Sequence, residues 1–147
     1  MRIRPYEKHD AKALIALIRA LAAYERLTPP SPAAAKRLIA DIGKRIRVLM
    51  AEVDGKCVGY AIYLFAYSSF LAKPTLYLED VFILPEHRRA GIGRKFFEEL
   101  RRAAKREKCG RMEWVVLDWN TPALNFYRKL GAKPLDDWIT FRIVLPP

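Results

Sequence analysis

The chain is poor in cysteine and histidine, and it has no long apolar run. Its 147 residues include only two histidines and two cysteines, Cys57 and Cys109. Two cysteines make neither a disulfide framework nor a metal-ligand spacing, and neither histidine stands in a metal-binding or triad pattern, so we expect no metal site. The apolar stretch at 14–23 contains Arg19 and is shorter than the roughly 20 residues that a membrane span needs. Because no secretory pattern is visible either, we expect a cytoplasmic protein that does not associate with membranes.

Acidic residues are also scarce. The chain has 16 of them against 27 basic residues, which gives a formal net charge of +11. Such a charge suggests an anionic partner, which could be nucleic acid, a membrane surface or a phosphorylated cofactor. The hydrophobic fraction of 52% excludes compositional disorder, and the length fits one domain, residues 1–147, with its own core.

Hydrophobic periodicity predicts an α/β domain with the order β α α β β β α β α β. The domain would hold a mixed, mostly antiparallel central sheet flanked by about four helices. The unit of strand, long helix and strand predicts one parallel pair with a right-handed crossover. Predicted strands cover residues 2–5, 47–53, 56–67, 76–84, 111–117 and 138–145, and helices cover about 10–24, 32–42, 91–108 and 121–130. His9 and Asp10 are the candidate cap of the first helix.

The most informative segment is 79–94, Glu-Asp-Val-Phe-Ile-Leu-Pro-Glu-His-Arg-Arg-Ala-Gly-Ile-Gly-Arg. An apolar strand ends at Pro85, a basic loop with Gly91 and Gly93 follows, and a long amphipathic helix begins. The free N–H groups and the dipole at a helix N-terminus favour negative charge, and glycine allows close backbone approach to a phosphate. The segment therefore predicts an anion-binding loop, although a Gly-x-Gly sequence also occurs in ordinary solvated turns.

A second segment, 118–131, contains a short helix that begins near Pro122 and carries Tyr127. A helical tyrosine is most commonly a half-buried core residue, and Tyr127 taken alone favours that interpretation. Glu79 and Asp80 also have an ordinary explanation, since strand-end carboxylates can simply face a surplus of arginines.

Together the two segments resemble the GNAT superfamily of N-acetyltransferases. The order Arg88-x-x-Gly91-x-Gly93 resembles its pyrophosphate-binding signature, and the segment 120–131 resembles its second hallmark. The likeness is densest at 60–131, and it is greatest to the spermidine/spermine acetyltransferase branch, which includes thialysine acetyltransferases. Four stretches carry that narrower likeness: Ala23-Tyr24-Glu25, the region 63–73, Leu78-Glu79-Asp80 and Trp119-Asn120-x-Pro122-x-x-Asn125-Phe126-Tyr127.

The resemblance implies direct transfer of an acetyl group from acetyl-CoA, a cosubstrate, to a primary amine of a small molecule such as a polyamine, a diamine or a lysine-like amino acid. Glu79 matches the position of a base that acts through water, and Tyr127 matches the acid that protonates the departing thiolate. The resemblance assigns cofactor binding to Val81, Phe82, Ile83, Arg88, Arg89, Ala90, Gly91, Ile92, Gly93, Arg94, Asn120 and Tyr127. It assigns substrate binding to Glu25, Phe70 and Asp80, and it implies a homodimer.

The substrate loop departs from the polyamine pattern. Polyamine-type relatives carry acidic residues in the loop before the strand of Glu79, whereas residues 67–74 contain no carboxylate here. A polycation also meets net repulsion from a chain of charge +11. A smaller amine, an amino acid side chain or an acidic substrate therefore fits as well. Relatives continue beyond the position of Pro147, which we expect to affect the dimer edge or the openness of the pocket.

Two other functions remain open from the residues alone. The basic side chains of the long helix could bind nucleic acid, although they alternate with core positions as on a solvated face, which makes a nucleic acid partner the weaker hypothesis. The chain could also bind CoA without turnover, as a sensor; the presence of both Glu79 and Tyr127 argues against this.

Overall fold

The computed structural model describes all residues 1–147 and contains one five-stranded mixed sheet. The strands lie in the order β1-β2-β3-β4-β5; the first three pairs are antiparallel and β4–β5 is parallel, which confirms the predicted mixed, mostly antiparallel character with one parallel pair. The strands are β1 (Arg2–Pro5), β2 (Arg47–Val53), β3 (Lys56–Ser68), β4 (Lys73–Ile83) and β5 (Arg111–Glu113).

Four α-helices accompany the sheet, as predicted. Ser31 caps the second helix by accepting from the N–H of Ala34 at 3.1 Å, and proline follows Ser31 at the first helical position. The helices are α1 (Ala11–Glu25), α2 (Pro32–Asp41), α3 (Ile92–Arg106) and α4 (Thr121–Lys129), with 3₁₀ turns at Lys8–Asp10 and Pro85–His87.

The chain divides into two compact units, residues 1–115 and 116–147. The first unit holds the whole sheet with α1, α2 and α3, and the second holds α4. In the first unit α1 buries Leu14, Leu17 and Ile18 against one sheet face. The long helix α3 contacts β1, β2 and β4. Its predicted apolar face is confirmed, because Ile92, Phe96, Leu100, Ala103 and Ala104 are all buried.

Strand β4 is irregular at Glu79. Its neighbours Leu78 and Asp80 lie opposite Tyr63 and Ile62, two consecutive residues of β3. Glu79 is therefore an extra residue, a β-bulge, which bends a strand and re-aims its side chains. Because of the bulge, Asp80 shares the α1 side of the sheet with Ile62, whereas the buried Leu78 does not.

The C-terminal prediction was wrong. Residues 138–145 form no strand, and the predicted strand 111–117 is reduced to Arg111–Glu113. The apolar alternation that favours a strand is real, yet a strand also needs a hydrogen-bonded partner, and the 116–147 unit contains no other strand. Side chains of this segment are strongly exposed, among them Ile139 at 78%, Phe141 at 90% and Ile143 at 88%.

The capping role predicted for Asp10 also differs. Asp10 precedes α1, but its side chain makes no cap hydrogen bond to that helix. It accepts instead from the guanidinium of Arg4 at 2.7 and 2.9 Å and from the N–H of Glu7 at 2.8 Å. The carboxylate binds Arg4 in preference to the amides of α1 because a guanidinium forms a stronger, charge-assisted pair than a backbone amide.

Candidate active site

The N-terminus of α3 has the features of an anion-binding site. The N-cap residue, Gly91, adopts a left-handed φ of +81°. Because glycine has no side chain, it cannot cap the first amides of the helix. The first backbone bond of the helix runs from the N–H of Lys95 to the carbonyl of Gly91 at 3.1 Å, so the amides before Lys95 precede the intrahelical ladder. A Cβ placed on Gly91 would meet nothing within 4 Å. Open space therefore lies beside these amides, and it fits a phosphate group.

The loop before this helix is basic and partly strained. Arg89 has a φ of +63° although it is not glycine, a conformation that costs about 1–2 kcal/mol and clusters at functional sites. Arg89 and Arg94 are exposed, and no acidic residue lies in the first turn of α3. The predicted cofactor residues 88–94 thus form one electropositive segment.

Arg88 is directed elsewhere. Its Nε donates to the carbonyl of Ile83 at 2.9 Å. Its guanidinium lies over the rings of Tyr24 and Phe82, at 5.0 and 5.5 Å from their centroids, a geometry that favours a cation. Arg88 therefore connects the end of β4 to the last turns of α1.

The end of β4 offers an unpaired backbone edge. Pairing with β5 is confined to Thr75–Tyr77 and ends there, although β4 continues to Ile83. Val81, Phe82 and Ile83 therefore lie on a stretch with β3 on one side and no strand on the other. Such an edge can bind an extended chain by main-chain hydrogen bonds. It leads directly into the loop before the N-terminus of α3.

Three carboxylates interact beside this edge: Glu25, Glu79 and Asp80. Glu79 is exposed at the bulge, whereas Asp80 is only partly accessible. Asp80 accepts a hydrogen bond on Oδ2 from the hydroxyl of Tyr60 at 3.2 Å. Burial, and then the charge of Glu79, raise the pKa of Asp80 to about 6, and burial raises the pKa of Glu25.

This carboxylate cluster has no basic partner. The groups that act on Asp80 are Glu79, Glu25 and Tyr60, and no lysine or arginine is among them. In a chain of charge +11 the cluster is a local negative site, which can hold an ammonium group or accept a proton.

The predicted residue Phe70 lies elsewhere in the first unit. It is 98% exposed at the tip of the β3–β4 hairpin. Asp80 is seven residues along β4 from the last hairpin pair, Ser68 with Lys73, which corresponds to about 20 Å of strand. The structure therefore does not bring Phe70 to the carboxylates of the same chain.

Asn120 and Tyr127 belong to the 116–147 unit. Asn120 is the N-cap of α4, and its side-chain oxygen accepts from the N–H of Ala123 at 3.4 Å. Tyr127 is half-buried on α4, and its ring lies 5.7 Å from that of Phe126. The predicted helix is thus confirmed, and Tyr127 has the partial burial of an ordinary helical tyrosine.

Sequence reasoning missed Tyr60. It is fully buried on β3 and belongs to the apolar cluster under α1, so its type and pattern indicate a core residue. Its contact with Asp80 depends on the β3–β4 register, which the bulge at Glu79 shifts. No local signal in the sequence reveals that shift.

None of the helices combines the length and the apolar composition that a membrane span requires. No three histidine, cysteine, aspartate or glutamate side chains cluster as metal ligands would.

Comparison with known proteins agrees with the geometry. The profile of the acetyltransferase (GNAT) family matches residues 13–132. The chain is 33% identical to thialysine N-epsilon-acetyltransferase of Mus musculus, with 96% of this chain and 91% of the relative aligned. It is also 33% identical to spermidine/spermine N(1)-acetyltransferase-like protein 1 of Homo sapiens, over 96% of this chain and 22% of the relative. L-ornithine N5-acetyltransferase NATA1 of Arabidopsis thaliana is 38% identical over 61% of this chain and 40% of its own.

The fold recurs in solved structures. AAC(6')-Iy in complex with the bisubstrate analogue CoA-S-monomethyl-acetylneamine superposes with a TM-score of 0.82 over 98% of both chains, at 20% identity. The chain belongs to the GNAT acetyltransferase family, and its curated relatives are named N-acetyltransferases. The predicted family, fold class and enzyme class are confirmed.

Proposed function

We propose that this enzyme transfers an acetyl group from acetyl-CoA to a primary amine of a small molecule. The observation that carries the proposal is the cluster of Glu25, Glu79 and Asp80 beside the unpaired end of β4. An amine binds as an ammonium ion, because free alkylamines have pKa values near 10.4, and the cluster supplies negative charge where the rest of the chain is basic.

The residues present fit acetyl-CoA. The amides of Ile92, Gly93 and Arg94 and the open space at Gly91 suit a pyrophosphate. The free edge at 81–83 suits an extended amide-bearing arm. In the second unit, Asn120 is the proposed further residue that contacts acetyl-CoA. Acetyl-CoA supplies the acetyl thioester; the residues named here bind and orient it.

The proposed roles of Glu79 and Tyr127 follow the proton balance of the reaction. The amine nitrogen forms a bond to the acetyl carbon as the carbon–sulfur bond breaks. Glu79 accepts the proton of the amine through water, and its exposure at the bulge allows that access. Tyr127 donates its proton to the thiolate that leaves. The second proton of the ammonium nitrogen, released as the amide forms, restores the tyrosine.

Among amines, we propose a diamine or a lysine-like amino acid in preference to a long polyamine. Residues 67–74 contain no carboxylate, and the clustered carboxylates lie at one end of β4 only, so a single ammonium group is accommodated. The names of relatives that act on thialysine and ornithine support this class.

The test measures release of the CoA thiol from acetyl-CoA with diamines, polyamines, lysine-like amino acids, aminoglycosides and a basic peptide. We expect turnover on the smaller amines. Glu79→Gln and Tyr127→Phe should each lower kcat by about 10²- to 10⁴-fold, because each removes a proton-transfer group. The matched controls Glu98→Gln, on the exposed face of α3, and Tyr63→Phe, on β3, should retain wild-type rates.

Two results would contradict the proposal. Near-wild-type rates in both variants would remove the roles assigned to Glu79 and Tyr127. Binding of acetyl-CoA without turnover of any amine in the panel would favour a module that binds CoA without catalysis.

We also propose a homodimer. The exposed segment 138–145 alternates apolar side chains at Ile139, Phe141, Ile143 and Leu145, as a strand in a sheet does. Strand β5 is the edge of the sheet, and an unpaired edge accepts a further strand. A second copy of the chain supplies such a strand. Analytical ultracentrifugation should give the mass of two chains, and the mass of one chain at micromolar concentration would contradict the proposal.

A further inference from the structure

Tyr60 is a buried residue to which the proposed function assigns no role. Its side chain is 0% exposed within the apolar cluster of α1 and the sheet. A buried hydroxyl needs a hydrogen-bond partner, because leaving it unpaired costs about 1–3 kcal/mol. The partner of Tyr60 is Oδ2 of Asp80, 3.2 Å away on the neighbouring strand.

The other oxygen of Asp80 has a different environment. Tyr60 makes the one protein hydrogen bond to the Asp80 carboxylate, and that bond is to Oδ2. Oγ1 of Thr75 is the one fully buried side-chain polar atom without a hydrogen-bond partner. Oδ1 of Asp80 is not such an atom, and Asp80 is partly accessible. Oδ2 is thus held by the core, and Oδ1 is the oxygen left to accept a hydrogen bond from a bound group.

We propose that Tyr60 is a positioning residue that holds the Asp80 carboxylate through Oδ2, so that Oδ1 receives the ammonium group of the amine substrate. This rests on the proposed function and deepens it, since it names the residue that sets the geometry of amine binding. Rotation of Asp80 is restricted by the hydrogen bond from Tyr60, so the ammonium meets an oriented acceptor. The backbone of Asp80 is fixed on the same side, because Ile62 pairs with it.

The same contact also lowers the pKa of Asp80. Burial and the charges of Glu79 on β4 and Glu25 on α1 raise the pKa of Asp80, whereas the bond from Tyr60 on β3 lowers it. Without the Tyr60 hydroxyl the pKa therefore rises above about 6. A larger fraction of Asp80 is then neutral at pH 6.5, and a neutral carboxyl attracts an ammonium group less.

The test compares Tyr60→Phe with wild type and with Tyr63→Phe. Tyr63 is also a buried tyrosine of β3, but it pairs with Leu78, on the sheet face away from Asp80, and it is not the tyrosine that donates to Asp80. For Tyr60→Phe we expect the acid limb of kcat/KM to move up by about 0.5–1 pH unit and KM for the amine to rise about 5- to 20-fold at pH 6.5. The value of kcat at saturating amine should change less than about threefold. Tyr63→Phe should match wild type in all three.

A second readout separates this inference from the proposed function. ¹³C NMR of the aspartate carboxyl carbons, assigned with Asp80→Asn, needs no turnover. We expect Asp80 to titrate near pH 6 in wild type and higher in Tyr60→Phe. If no amine is acetylated but this shift is seen, the proposed function fails and the positioning of Asp80 stands. If Asp80 titrates near pH 4 in wild type, or if the Tyr60→Phe profile equals that of wild type, the inference is overturned.

Discussion

Two aspartates at the two ends of α1 have opposite environments. Asp10 precedes the helix, is 2% exposed, and meets Arg4, whose hydrogen bonds lower the pKa of Asp10 to about 2. Asp80 lies near Glu25, the last residue of the helix, and burial, together with the charges of Glu79 and Glu25, raises the pKa of Asp80 to about 6. Asp10 stabilises the fold, whereas Asp80 carries an uncompensated charge. Such a charge is suited to binding a cation from outside or to accepting a proton.

Ionisation of the two aspartates should therefore have opposite effects on the free energy of unfolding. A depressed pKa means that Asp10 stabilises the folded chain above about pH 4, and that this contribution is lost as the pH falls toward about 2. A raised pKa means that ionisation of Asp80 is disfavoured in the folded chain. The free energy of unfolding therefore falls, on this account, as the pH rises from about 4 to about 6.

The largest expected effect is that of Asp10→Asn. We expect the free energy of unfolding at pH 7 to fall by about 2–4 kcal/mol, because Arg4 loses its buried partner. Arg4 keeps its contact with Glu52 at 3.0 Å, which limits the loss. Urea unfolding of the two proteins measures the difference. A change of less than about 0.5 kcal/mol would contradict a structural role for Asp10.

Asp80→Asn should act in the opposite direction on stability. We expect it to raise the free energy of unfolding at pH 8 by about 1–2 kcal/mol, because it removes a partly buried charge. It should also lower kcat/KM for the amine at least tenfold, because the ammonium group loses its anionic partner. The difference in stability should vanish near pH 4, where Asp80 is already protonated. A variant less stable than wild type at pH 8 would disagree with the burial described for Asp80.

The smallest expected effect concerns Gly91. Gly91→Ala and Gly55→Ala both place a Cβ at a positive φ, +81° and +75°, in open space. Each should therefore cost about 1 kcal/mol of stability. Only Gly91→Ala should also raise KM for acetyl-CoA, because its Cβ occupies the space beside the α3 amides. Equal KM values in the two variants would show that no cofactor lies at Gly91.

The features that the sequence alone predicts are those with local patterns. The amphipathic period of α3, the Ser31-Pro32 helix start and the Asp54-Gly55 turn each have local causes. The loop 88–94 was identified in the same way, from glycines at a helix N-terminus. The family followed from these motifs and is confirmed by a match over residues 13–132.

The features that the sequence misses depend on register and partners. The bulge at Glu79 places Leu78 and Asp80 on opposite faces of the sheet, and no local sequence pattern marks the extra residue. The hydrogen bond between Tyr60 and Asp80 therefore could not be predicted. Segment 138–145 has the alternation of a strand, yet a strand forms only where a partner is available. The carboxylate of Asp10 was predicted to cap α1, whereas Arg4, six residues earlier, binds it.

The role of the carboxylate cluster in amine binding is best examined by the rate of CoA release from acetyl-CoA with a lysine-like amine at pH 7.5, for wild type and Asp80→Asn. We expect turnover by wild type and at least a tenfold lower kcat/KM in the variant, which remains folded and is more stable than wild type. Equal rates for the two proteins, or the absence of turnover in wild type with every amine of the panel, would contradict that role.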